Sequence, residues 1–221
     1  MEQAVSVSRR VFNVVLSLTG LAAAARIPPL RLVGEAAAQG AADVAKPVSL
    51  SDMALGAADA PVTITEYAAP TCPHCARFNS DVFPRIKSEY IDTGKVRYVF
   101  REFPLNIKDA ACEMLARSIA KDDPAKYFAV LDVMFRQQNA LLEQTTETLK
   151  LIGKQAGLSS QAVEDCLKDD GLLAKISADR KFAMDVLKVD GTPTFFINGE
   201  VIVGEAPFED FEKKIRPLLK N

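Results

Sequence analysis

The chain has 221 residues, 48% of them hydrophobic and 25% charged, enough for one well-buried core and at most a small second lobe. Its 27 basic and 29 acidic residues give a formal charge of −2 with the signs interspersed, a composition that excludes disorder outside the termini. A mildly acidic chain without a basic run is also a poor candidate for binding nucleic acid.

Residues 1–40 read as an export signal. Ser8-Arg9-Arg10-Val11-Phe12 precedes an apolar stretch from Val11 to about Ala25, and small residues follow at Ala36-Ala37-Ala38. Charged start, short apolar middle and small-residue cleavage region are the three parts of a signal peptide. The paired arginines are of the twin-arginine kind. An uncleaved anchor is the alternative, though about fifteen apolar residues are short for a span. Export from a bacterial cytoplasm places the chain in the periplasm, where disulfides persist.

A short edge strand is expected within Pro47–Leu55, and the β-branched run Val62–Tyr67 predicts a buried strand. A helix then starts at Pro73, where a missing N–H costs nothing, and runs to about Tyr90 with a kink at Pro84. Lys95–Glu102 predicts another strand. From about Ile107 to Val189 the spacing is helical throughout. Helices are expected at Lys108–Lys121, Pro124–Gln138, Thr146–Ala156, Ser160–Asp169 and Leu172–Lys188. Strand character returns at Thr194–Ile197 and Glu200–Val203, joined by the hairpin signal Asn198-Gly199. An amphipathic helix over about Pro207–Leu219 closes an α/β order interrupted by a helical block.

Cys72-Pro73-His74-Cys75 holds two of the four cysteines and the only histidine. Two cysteines three positions apart at a helix start can share a disulfide, or leave the first as a thiolate facing free helix N–H groups. A protonated His74 would favour that thiolate further. A structural disulfide, or half of a zinc site completed by Cys112 and Cys166, are the alternatives. The latter pair lacks metal-ligand spacing of its own, so no metal is expected.

Together with Glu66-Tyr67 before the motif, Arg101-Glu102-Phe103-Pro104-Leu105, and Gly191-Thr192-Pro193-Thr194-Phe195-Phe196-Ile197-Asn198-Gly199, the motif resembles the DsbA family of disulfide oxidoreductases, including its alphaproteobacterial members. The resemblance implies a thioredoxin fold with an inserted all-helical domain: residues 48–106 and 189–221 form the two parts of the fold and 107–188 the insert. It implies Cys72 as nucleophile, Cys75 as buried resolving thiol, His74 as a modulator and Glu66 as a buried acid that helps move the Cys75 proton. Pro73, Thr192 and Pro193 would line the substrate groove, Pro193 in cis. Some relatives also carry a second disulfide; Cys112 and Cys166 are the pair available for it here, buried free thiols being the alternative.

The implied function is a monomeric periplasmic dithiol oxidase without a cofactor, acting on reduced exported proteins and reoxidised by a DsbB-like, quinone-coupled membrane thiol oxidase. An isomerase or reductase is the runner-up, and a redox-inactive chaperone a third reading. Thr192 stands where the best-known oxidases have valine, which pulls toward the runner-up. About 30 residues between the expected cleavage site and Cys72 leave no room for the dimerisation domain of dimeric isomerases.

Overall fold

A computed structural model describes residues 40, 42–46 and 48–219. The expected export signal lies outside them, apart from Gly40. Five strands form one mixed sheet: β1 (Met53–Leu55), β2 (Val62–Ala68), β3 (Val96–Glu102), β4 (Thr194–Ile197) and β5 (Glu200–Val203), in the order β1-β3-β2-β4-β5. Only β2 and β3 run parallel. The other pairings are antiparallel. Central β2 is buried along nearly its whole length, as its β-branched residues predict. This is the thioredoxin fold.

The parallel β2–β3 pair requires a crossover, supplied by α1 (Pro73–Asp81), α2 (Phe83–Ile86) and a π-helical turn over Lys87–Ile91. The single kinked helix expected there is broken at Val82. Pro84 has no N–H to give the Ser80 carbonyl and its ring collides with that group, so the helix restarts rather than bends. Asn198 and Gly199 adopt positive φ of 45° and 94°, the geometry a two-residue hairpin between β4 and β5 needs.

Between β3 and β4 lie six helices: α3 (Ile107–Ala120), α4 (Pro124–Arg136), α5 (Gln138–Glu143), α6 (Thr145–Gln155), α7 (Ser160–Cys166) and α8 (Asp170–Asp185). Asn106, Asp123, Ser159 and Asp169 cap four of them, each side chain accepting from an otherwise unpaired N–H of the first turn. Sequence spacing runs α4 through to Gln138, whereas the chain turns at Gln137 and begins the unexpected short α5. The last helix, α9 (Phe208–Leu218), buries Phe208, Phe211 and Ile215.

One core cluster joins Phe78, Tyr98, Phe195 and Phe211, so that α1 and α9 share one face of the sheet. A second runs from Ala68, Ala69, Cys72, Cys75 and Phe100 into Leu115, Tyr127, Met134, Leu149 and Val163. The helices after β3 therefore pack directly on the cysteine motif. Among the described residues no helix is long and apolar enough to cross a membrane.

Candidate active site

Cys72 is the residue preceding α1, with extended backbone (φ −77°, ψ 121°), and Pro73 opens the helix. This geometry aims the amides of His74 and Cys75 at the Cys72 sulfur, and both favour its charged form. All four cysteines are free thiols. Cys72 is 5% exposed and Cys75 fully buried, so a reagent meets Cys72 first.

The two thiols are driven apart. A hydrogen bond from the Cys75 thiol is the largest influence on Cys72; it outweighs the cost of burial and, with the Thr192 side chain and the two amides, brings the Cys72 pKa down to about 5. Burial pushes Cys75 far above the ordinary thiol range. Its bond to Cys72 and the nearby Glu66 carboxylate push the same way. One proton is shared unequally between two sulfurs.

Glu66 lies on β2 beneath the dithiol. Burial raises its pKa to about 8, the Tyr98 hydroxyl opposes the rise, and the Cys72 thiolate adds to it. Tyr98 donates to Glu66 Oε2 at 2.6 Å. At neutral pH this carboxyl holds a proton beside Cys75.

The segment before β4 closes the site. The Thr192–Pro193 peptide bond is cis, and the Cys72 thiol donates to the Thr192 carbonyl at 3.3 Å. That contact suits the protonated thiol and is lost on ionisation. The Thr192 hydroxyl is buried and makes no hydrogen bond of its own, yet lies close enough to the sulfur to favour the thiolate.

Residues from the helical block hold the loop ahead of Cys72. Gln138 Nε2 donates to the carbonyls of Pro70 (2.8 Å) and Cys72 (2.9 Å). Asp109 Oδ1 accepts from the Thr71 N–H at 2.7 Å, and Asn106 Nδ2 donates to Thr71 Oγ1 at 3.1 Å.

A thioredoxin family model matches residues 49–216. A putative protein-disulfide oxidoreductase of Rickettsia bellii is 37% identical over 151 residues, 67% of this chain and 58% of that protein. A probable disulfide bond formation protein D of Bacillus cereus is 33% identical over 77% of this chain and 80% of its own length. The crystal structure of Wolbachia pipientis alpha-DsbA1 superposes with a TM-score of 0.72 at 30% identity, over 80% of this chain and 94% of that one. The chain belongs to the thioredoxin family, among its DsbA-like members.

Of the residues the DsbA resemblance points to, the structure brings together Cys72, Cys75, Glu66, Pro73, Thr192 and Pro193. His74 stands apart on the surface: its Nδ1 lies 2.7 Å from Arg77 Nη2 and 3.3 Å from Glu205 Oε2. Its backbone amide, rather than its ring, serves Cys72. Cys112 is buried on α3 and Cys166 half-buried on α7, two helices that pack against each other. Among the described residues no group of three or more histidine, cysteine or acidic side chains is arranged to hold a metal ion.

Tyr98, Asn106, Asp109 and Gln138 have no motif in the sequence. Tyr98 shares a sheet face with Glu66 only because Ile64 pairs with Tyr98 in the parallel register, and Gln138 reaches the site only because the chain turns at Gln137.

Proposed function

We propose that this protein is a periplasmic dithiol oxidase that transfers the Cys72–Cys75 disulfide to reduced, unfolded exported proteins. The single observation carrying this reading is the divergence of the two thiols, Cys72 drawn down to about 5 while Cys75 is pushed far up. A stabilised Cys72 thiolate favours the reduced protein, which makes its disulfide a strong oxidant.

A client thiolate attacks Cys72 Sγ of the oxidised pair, and the Sγ–Sγ bond breaks. The departing Cys75 thiolate takes a proton, for which Glu66 is the adjacent source. A second client thiolate then attacks the client sulfur of the mixed disulfide. Cys72 leaves as the thiolate, carrying the two electrons that the client has lost. A DsbB-like, quinone-coupled membrane thiol oxidase removes them. Thr192 and Pro193 beside Cys72 offer backbone groups to an extended client. The exposed side chains of Leu105 and Ile107, on either side of the Asn106 that holds Thr71, suit an unfolded one. His74 modulates the nucleophile, and the protein works as a monomer without cofactor or metal. The twin-arginine-type signal over residues 1–40 supports periplasmic placement.

Oxidised protein mixed with a reduced, unfolded secreted substrate should form one substrate disulfide per Cys72–Cys75 pair, and Cys72→Ser should abolish it. Net reduction of an already oxidised substrate would contradict the oxidase reading. The Thr192 hydroxyl beside the sulfur supports the isomerase or reductase alternative, which a scrambled-disulfide substrate tests: faster recovery of native pairing than of total disulfide would favour it. We further propose that Cys112 and Cys166 pair after export, closing a loop of about 54 residues with a stabilisation of roughly 4 kcal/mol. Mass measurement of alkylated, non-reduced periplasmic protein should find both blocked; two labels there would reject the bond.

A further inference from the structure

Three side chains at the mouth of the site form a charge arrangement that the exchange chemistry above does not use. Arg77, on α1 two residues beyond Cys75, donates through Nε to Glu205 Oε2 at 2.8 Å and lies through Nη2 at 2.7 Å from His74 Nδ1. Glu205 follows Gly204, whose N–H donates to the Pro193 carbonyl at 2.8 Å. The network thus ties the motif helix to the segment carrying the cis peptide.

Nδ1 of His74 faces both partners, the guanidinium at 2.7 Å and the Glu205 carboxylate at 3.3 Å. A guanidinium is always charged, so the fixed positive charge near the dithiol belongs to Arg77. The field of Cys72 reaches Arg77, as do those of Glu205 and Asp81. We propose that Arg77 and Glu205 act as an opposed pair of positioning residues that sets the oxidising strength of the dithiol, Arg77 favouring the Cys72 thiolate and Glu205 partly cancelling that effect through Arg77 and His74. This deepens the oxidase reading and rests on it.

The sign of each substitution follows. Removing the carboxylate leaves Arg77 uncompensated, favours the thiolate and makes the disulfide more oxidising. Removing the guanidinium does the reverse. Side-chain exposures of 54% for His74, 50% for Arg77 and 37% for Glu205 mean that water and salt screen the pair, so each effect is about threefold.

The test is the equilibrium of the full protein with glutathione at about pH 8. Glu205→Gln should lower the equilibrium constant for oxidising the dithiol about threefold, and Arg77→Gln should raise it by a similar factor. The double variant and Arg77→Lys should both lie close to the parent. A purely structural role would move both single variants the same way, and Arg77→Lys would then follow Arg77→Gln; either pattern overturns the proposal. One common constant across variants that all form the Cys72–Cys75 disulfide would reject the charge pair while leaving the oxidoreductase reading intact. Failure of the parent to form that disulfide reversibly would reject both.

Discussion

Cys72 and Cys75 are chemically identical and three residues apart, yet one is poised to lose its proton and the other to keep it. The difference comes from place: Cys72 sits before the first helical residue with amides pointing at it, and Cys75 is one turn inside a closed core. Glu66 completes the arrangement. Its folded pKa of about 8 lies above its ordinary 4.5, so through neutral pH it remains a proton donor and its conjugate base appears only in alkali. Glu66→Gln should therefore slow formation of the mixed disulfide, the step in which Cys75 departs and takes a proton, about a hundredfold, the scale of a lost general acid, and remove the inflection near pH 8 from the rate profile. Stopped-flow measurement of mixed-disulfide formation that found both unchanged would remove Glu66 from the proton path. The cysteine pair was legible in the sequence because both partners are local. Tyr98 was not, because its bond to Glu66 depends on pairing across strands 32 residues apart.

α3 turns one face toward the motif loop and the end of β3, and Asp109, Glu113 and Arg117 recur along it at helical spacing. Asp109 satisfies the Thr71 amide. Arg117 pairs with buried Glu102, which also accepts from the Tyr127 hydroxyl. Glu113, between them, is fully buried with neither carboxyl oxygen hydrogen-bonded; the Phe103 amide, which would favour its charge, donates to the Ala68 carbonyl at 3.0 Å instead. Burial first, then Glu102 and Asp109, hold Glu113 protonated well above its usual range. A carboxyl raised on folding contributes stability that is complete below its unfolded pKa and lost as pH rises toward the folded value. Glu113→Gln should thus stabilise the protein relative to the parent by about 1–3 kcal/mol more at pH 8 than at pH 5 in urea unfolding. An equal difference at both values would show that this carboxyl finds a partner. Helical periodicity announced α3, but neither its cap at Asn106 nor the restart at Gln138 was read from the sequence. Nothing in Arg136-Gln137-Gln138 breaks the pattern; packing against the motif loop does.

Across the whole molecule, the fold brings three sequence-distant segments to one end of the sheet: the end of β2 with the motif at the start of α1, the approach to β4, and the helices that follow β3. The succession of strands along the chain and the helical block followed from hydrophobic spacing, because buried strands and amphipathic helices leave different periods in the chain. The split of α1 from α2 and the His74–Arg77–Glu205 contacts did not, since they depend on a proline collision and on a loop 128 residues away. These pieces serve one purpose, to keep a sulfur anion at Cys72 while Cys75 stays protonated. Absorbance of the thiolate in the ultraviolet, followed from acid to alkaline pH on the reduced protein with Cys75→Ala as reference, measures this directly. The account predicts a single step near pH 5 in the parent, shifted upward once the Cys75 thiol is removed. A step at the ordinary thiol value in both proteins would contradict it.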